Sequence, residues 1–297
     1  MSSLEPGSRE EQLQNMSNTV WGLERVNKMN PLPLRERLNL LRTNYELQRL
    51  KEEDLNIPER DRSFLYLQEA PTAAVLLVPG GHSTPAQYFN LGRHLYRSGM
   101  TVYSSLLPNE TAVGAQRGGV PWQLSLAELA MRYDLLAQLQ VPIHVVGSSF
   151  GGILGILLAE KNKVCSLTLL SPPMKPHLKL SEQFALAWRR LFPRLFERMI
   201  AGSPHRWMAD RYGAAKQAHK ILGSLTTPIL AIHAKDNAEL DPDGLKVLRR
   251  ACRAAAPEIL LLDKGGHQLL EGEESKQVQL KVLDFIQRNQ RGAGPQN

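Results

Sequence analysis

Pro142-Ile143-His144-Val145-Val146-Gly147-Ser148-Ser149-Phe150-Gly151-Gly152-Ile153-Leu154-Gly155-Ile156-Leu157-Leu158-Ala159 carries the strongest local signal of how this chain folds. A short β-branched run ends at Gly147, Ser149 stands midway between Gly147 and Gly151, and a small-residue helical pattern begins at once. This is G-x-S-x-G in a strand, turn, helix context, the pattern of a nucleophile elbow. The middle residue of so sharp a turn takes a strained backbone conformation, and glycines on either side let strand and helix approach it. The spacing therefore predicts that Ser149 is thrust out at the edge of a sheet, above a helix N-terminus. Unpaired N–H groups and the positive end of the helix dipole suit an oxyanion forming there. A glycine-rich helix start that only packs tightly is the plainer alternative.

The chain on either side alternates short strands with helices. Strands are expected at Phe64 to Leu67, Ala73 to Val78, Thr101 to Ser105, Ile143 to Val146, Val164 to Leu170, Pro228 to His233 and Glu258 to Leu262. Helices are expected at Gln87 to Ser98, Leu124 to Leu139, Gly151 onward, Leu245 to Ala255 and Ser275 to Gln287. Ala73 to Val78 is almost wholly apolar, as a strand covered on both faces must be. The succession predicts an α/β fold with a doubly wound, mostly parallel sheet and its chemistry at the carboxyl ends of the strands.

Two segments stand outside this alternation. Residues 1–62 read as an N-terminal helical appendage: Leu13, Met16, Val20 and Leu23 recur at helical spacing before Asn30-Pro31-Leu32-Pro33, and Leu34, Leu38, Leu41 and Tyr45 recur after it. Their apolar stripes need a cover, either the flank of the same domain, a second copy in a homodimer, or a membrane surface. Residues 172–224 read as a basic helical cap inserted in the core formed by 63–171 and 225–290. That insertion carries ten lysines and arginines against three acids, an excess of seven that matches the net charge of the whole chain, +7. Its apolar residues alternate with arginines, so it reads either as an ordinary solvated helix or as an acyl-binding roof whose cations touch anionic lipid. Residues 291–297 read as a disordered tail.

Bulk properties narrow the function classes. With 297 residues, 42% hydrophobic and 22% charged, the composition is that of a soluble globular protein. Cys165 and Cys252 lack metal-ligand spacing and demand no disulfide, and the first residues show no apolar leader, so a cytoplasmic setting is expected. The phosphate-binding G-x-x-x-x-G-K-[ST], the dinucleotide G-x-G-x-x-G, H-E-x-x-H and paired C-x-x-C patterns are absent, so no cofactor and no metal is expected. The basic cluster is interrupted by large apolar residues and carries no recognised nucleic-acid motif.

A serine hydroxyl needs a base to take its proton, and the base needs an orienting acid. His267, in Asp263-Lys264-Gly265-Gly266-His267-Gln268 after the last strand, combines a late position with a curling glycine loop and is the candidate base. Asp236 lies closest to the end of the strand Pro228 to His233 and is the candidate acid, with Asp241 as runner-up. Phe150, after the serine, and Gly81, in Pro79-Gly80-Gly81-His82-Ser83, are the candidate backbone donors for an oxyanion. His144 and His233 lie in strands and read as structural.

From about Ala73 to the C-terminal helix the chain resembles the α/β-hydrolase superfamily, in particular its bacterial carboxylesterase and monoacylglycerol-lipase-like branch. The resemblance rests on Leu77-Val78-Pro79-Gly80-Gly81, Gly147 to Gly151, Leu170-Ser171-Pro172-Pro173, Pro228 to His233 with its acidic loop, and Gly266-His267. It implies the α/β-hydrolase fold with a helical cap, a Ser-His-Asp triad, no metal, and short to medium acyl esters or monoacylglycerols as small-molecule substrates. The basic cap leaves an acyl-CoA thioesterase or acyltransferase as the nearest rival, and a non-catalytic hydrolase-fold binding protein as another. Two departures stand out. Pro79-Gly80 replaces the family's His-Gly, and the family's spacing for the acid falls on Asn237, one residue past Asp236.

Overall fold

A computed structural model of the protein describes residues 32–81, 83–108, 120–175 and 204–290. The first expected helix, the arginine-rich stretch from Arg189 to Arg198, His82 and the tail 291–297 lie outside these residues. In chain order the elements are α1 (Leu34–Asp54), β1 (Phe64–Tyr66), β2 (Ala73–Val78), α2 (Phe89–Arg97), β3 (Met100–Ser104), α3 (Trp122–Ala137), β4 (Ile143–Ser148), α4 (Phe150–Lys161), β5 (Ser166–Leu170), α5 (Pro204–Ile221), β6 (Ile229–Ala234), α6 (Gly244–Ala251), β7 (Glu258–Leu262) and α7 (Ser275–Gln290).

Among the described residues the strands form one sheet in the order β1-β3-β2-β4-β5-β6-β7, with every pairing parallel except that of β1 with β3. The strand order reverses about β2 and β4, so the crevice beyond the carboxyl ends opens beside them. All six residues of β2 are buried, and their side chains divide by parity between two cores. Ala74, Leu76 and Val78 join a cluster with α3, α4, α5 and α6, while Ala73, Val75 and Leu77 join one with α2 and α7. The period of two in a strand makes this division inevitable once helices cover both faces.

The appended helix α1 is covered by its own domain. It starts after Pro33 and stops where Asn56 takes φ 55°, a left-handed conformation that asparagine tolerates. Leu40, Leu41 and Leu47 are buried, and Leu41 belongs to the core beneath α3. Arg132 of α3 reaches across to Asn44 Oδ1 at 2.9 Å and Gln48 Oε1 at 2.7 Å, and pairs with Glu128. Glu52, 2% exposed, accepts from Ser63 N at 2.8 Å and from the Ser63 hydroxyl. Ser63 Oγ in turn accepts from Leu106 N at 2.8 Å, so a buried carboxylate is fully engaged.

In the expected cap, α5 packs Ala214, Ala218 and Ile221 into the same core as α4, and Asp210 Oδ2 accepts from the N–H of Trp122 at the start of α3 at 2.7 Å. This part of residues 172–224 is therefore built into the domain's flank. Among the described residues no helix is long and apolar enough to cross a membrane. Cys165 and Cys252 are both unpaired, and burial pushes the Cys252 thiol up to about 11.

His144 has the structural place expected of it. It is fully buried in β4, with Nδ1 2.7 Å from Ser166 Oγ, and burial lowers its pKa from 6.5 to about 4. The unfolded chain thus binds a proton between these values that the folded chain refuses, and stability is lost as pH falls from about 6.5 to 4. The difference corresponds to roughly 3 kcal/mol. Urea denaturation over this window is expected to show that loss, and His144→Asn should flatten the slope whatever it does to stability at neutral pH.

Candidate active site

Parallel pairing aligns the carboxyl ends of the central strands. Gly147 of β4 lies opposite Val78 of β2 and Leu169 of β5, Ser148 lies opposite Leu170, and Ala234 of β6 lies opposite Leu262 of β7. The segments that leave these ends carry the residues expected to form the triad and the oxyanion hole.

Ser149 follows β4 directly, with φ 49° and ψ −122°, at the N-cap of α4. Such a conformation is costly for a residue with a side chain and persists only where its surroundings enforce it. Its N–H donates to Leu170 O at 2.7 Å and its carbonyl accepts from Gly152 N at 3.0 Å. The two glycines of the motif are required by space. A Cβ on Gly147 would meet Gly152 Cα at 2.6 Å, and one on Gly151 would fall 2.5 Å from Pro79 O and closer still to Val78 O. Phe150 and Gly151 open α4, where N–H groups have no intrahelical partner.

In the loop after β2, Gly80 approaches the elbow, since a Cβ there would lie 3.2 Å from Ser149 Cβ. Gly81, the donor expected from the sequence, lies under Arg211 of α5, whose guanidinium would be struck by a Cβ at that position, 2.5 Å from Nη2. The same guanidinium stands 4.4 Å from the centroid of the Phe150 ring. One cation therefore covers both residues expected to supply the oxyanion donors. The sequence singled out the basic segment but gave no reason to choose Arg211 from it.

His267 is held by its backbone on the neighbouring strand end. Ser171, which follows β5 with φ 46°, donates its hydroxyl to His267 O at 3.1 Å. The imidazole side chain is 12% exposed, and burial holds its pKa below the ordinary histidine value against the opposing pull of Glu239, whose Oε2 is 3.8 Å from Nε2. No hydrogen bond joins Ser149 Oγ to this imidazole among the described residues.

The residue beside Nδ1 is Asn237. Its Nδ2 lies 3.3 Å from His267 Nδ1, while its Oδ1 accepts from Glu239 N at 3.0 Å and Leu240 N at 3.1 Å. Asp236, one residue earlier, turns the other way and accepts from Gly266 N at 2.8 Å and Gly265 N at 3.3 Å. Those two glycines have φ 59° and 139°, so Asp236 clamps the turn that delivers the histidine. Asp241 accepts from Lys175 Nζ at 2.6 Å and from Asp243 N at 2.9 Å. Neither aspartate is brought to the imidazole by these bonds. The signal for Asn237 was present in the sequence as the family's spacing.

Among the described residues no group of three or more histidine, cysteine, aspartate or glutamate side chains could hold a metal ion. The protein-family model described as the alpha/beta hydrolase family matches residues 75–278. The chain belongs to the alpha/beta hydrolase family. No curated protein matches it in sequence. Solved structures do match in shape. One is of the metagenome-derived lipolytic enzymes LipS and LipT, with TM-score 0.66 and 14% identity over 77% of this chain and 98% of that one. Another is a monoacylglycerol lipase of Paleococcus ferrophilus, with TM-score 0.60 and 16% identity over 76% and 98%. A third is a soluble variant of monoglyceride lipase from Saccharomyces cerevisiae in complex with a substrate analogue, with TM-score 0.61 and 16% identity over 76% and 91%. At such identities the likeness speaks for the fold.

The elbow's tolerance is testable. Gly151→Ala sets a methyl group against the carbonyls of Val78 and Pro79, both backbone, so a cost of about 3 kcal/mol or more is expected in urea denaturation, at the upper end for overpacking. Gly272→Ala, whose Cβ would meet its nearest neighbours at an ordinary 3.8 Å, is the matched control and should cost far less.

Proposed function

We propose that this family member is a serine hydrolase of carboxylic esters, acting on short or medium acyl esters or monoacylglycerols. The observation that carries the reading is the φ of +49° at Ser149, immediately before the N-terminus of α4. Strain of this kind in a serine, sustained by two glycines that admit no side chain, is what a nucleophile exposed beside unpaired N–H groups requires. Two of the solved structures that share the fold are of lipases named for monoacylglycerol or monoglyceride, which supports the substrate class.

In this reading Ser149 Oγ bonds to the acyl carbon while its proton passes to His267 Nε2, which takes place from the tautomer whose ring proton is on Nδ1. The carbonyl oxygen gains negative charge and is met by the Phe150 N–H and by an N–H of the Gly80-Gly81 turn. When the tetrahedral intermediate collapses, the C–O bond to the alcohol breaks and the imidazole proton goes to the leaving oxygen. Water repeats the sequence on the acyl-enzyme and releases the acid. Arg211 adds positive charge beside the developing oxyanion, and Asp236 positions the base by clamping Gly265 and Gly266 rather than by touching the ring. The two unpaired cysteines are in keeping with a reducing, cytoplasmic setting.

A second reading is favoured by one observation. Asn237 at His267 is an amide where a carboxylate would help catalysis, which suits a hydrolase-fold protein that binds a ligand without turning it over. Fluorophosphonate labelling separates the two, because only an activated serine reacts. Labelling that is lost in Ser149→Ala, together with at least a 10³-fold loss of p-nitrophenyl ester turnover, is expected. Turnover that survives the substitution would rule the serine out.

The acid limb of kcat/KM should fall below pH 6.5, because burial depresses the pKa of His267 and its neutral form persists to lower pH. Activity is lost as pH drops through that limb. A pH-rate profile with its acid limb above 6.5 would show that Glu239, not burial, governs the ring.

A further inference from the structure

We propose that Asn237 fixes the resting proton of His267 on Nε2, so that this nitrogen is a donor rather than the acceptor a serine hydroxyl needs, and Ser149 is held below its full reactivity. The effect on the serine rests on the hydrolase reading, whereas the position of the proton does not.

The orientation of the Asn237 amide is set by its own loop. Oδ1 accepts two backbone N–H groups, from Glu239 and Leu240, in a residue that is 8% exposed. Rotating the amide by half a turn would set its NH2 against both of those donors and leave two N–H groups unsatisfied. The NH2 is therefore directed at His267 Nδ1, 3.3 Å away. An amide N–H can only donate there, so Nδ1 must present its lone pair. A neutral imidazole then has its proton on Nε2. A doubly protonated ring would confront the amide with a second donor, which adds to the burial that already disfavours it.

A second contact points the same way. The carboxylate of Glu239 lies 3.8 Å from Nε2, on the side where a proton is attracted and a lone pair is not. The remaining charged and titratable neighbours do not reverse this. His233, buried at the end of β6, offers Nδ1 to Ala234 O at 3.0 Å, and the charged form of either histidine disfavours that of the other. Asp236 spends both oxygens on Gly265 and Gly266. Asp241, which favours the charged form of His233, is paired with Lys175.

Attack by a serine requires the opposite arrangement, with Nδ1–H oriented by an acceptor and a lone pair on Nε2 to receive the hydroxyl proton. Asn237 is thus a positioning residue that acts through His267. Asn237→Asp is nearly isosteric and keeps an acceptor for the N–H groups of Glu239 and Leu240. Its second oxygen turns the contact with Nδ1 from donor to acceptor. An aspartate-to-asparagine exchange at the orienting position of a serine protease triad costs about 10⁴ in kcat with the geometry intact, so the reverse exchange has ample range.

The test uses the full chain with 15N-labelled histidine. Long-range 1H–15N spectra report which ring nitrogen of His267 is protonated at neutral pH, with the resonance identified by its disappearance in His267→Gln. The proton is expected on Nε2 in the natural sequence and on Nδ1 in Asn237→Asp. A proton on Nδ1 in the natural sequence would overturn the proposal without any variant being needed. Fluorophosphonate labelling of Ser149 should be at least about 100-fold faster in Asn237→Asp. Equal, measurable rates despite a switched tautomer would show that the proton's position does not restrain the serine. A switched tautomer with no labelling of Ser149 in either protein would support the assignment of the proton and overturn the hydrolase reading instead.

Discussion

Three backbones meet at one point in this molecule, and the rest of the site depends on their being able to do so. The end of β4, the first turn of α4 and the loop after β2 approach so closely that Gly147 and Gly151 leave no volume for a methyl group. The chain can reverse there only by driving Ser149 into positive φ. Packing on both sides of the sheet supplies the free energy that holds it, since β2 and β4 are buried along their whole lengths and α4 is buried along most of its own. The strained serine is therefore a by-product of how tightly helix and sheet are seated.

The histidine reaches the same rim by polar ties. Ser171 holds its carbonyl, Asp236 holds the two N–H groups before it, and Asn237 touches its ring. These come from the ends of β5 and β6, the two strands beyond β4, so the imidazole is fixed by neighbours of the elbow and not by the elbow. Asp236 and Asn237 are consecutive in the turn that follows β6, and they divide the work: one holds the two glycines before His267 and the other faces the ring.

Hydrophobic period and glycine placement made the sheet legible in the sequence. Ala73 to Val78 and Glu258 to Leu262 have the predicted bounds, and the other strands differ from theirs by one or two residues at an end. These features are local, and burial on both faces leaves an unmistakable apolar run. The direction of a carboxylate is not local. Asp236 was the natural choice of acid by its nearness to the strand, yet its partners are N–H groups 29 and 30 residues away, in a turn whose shape no composition reveals. The same holds for Gly80 and Gly81: the sequence identifies the pair, but that Gly80 faces Ser149 while Gly81 lies against Arg211 of α5 is set by contacts far along the chain. The cover over α1 was one of several the sequence allowed, and the polar bridge from Arg132 decides among them.

That bridge has a consequence for how the chain is made. Asn44 and Gln48 receive their guanidinium partner from 88 and 84 residues further along, and Ser63 receives its donor from Leu106. During vectorial synthesis α1 leaves the ribosome long before α3 exists to cover it, with the apolar side of Leu40, Leu41 and Leu47 still open to water. Among the described helices the first to be synthesised thus waits for the third before its apolar side is covered.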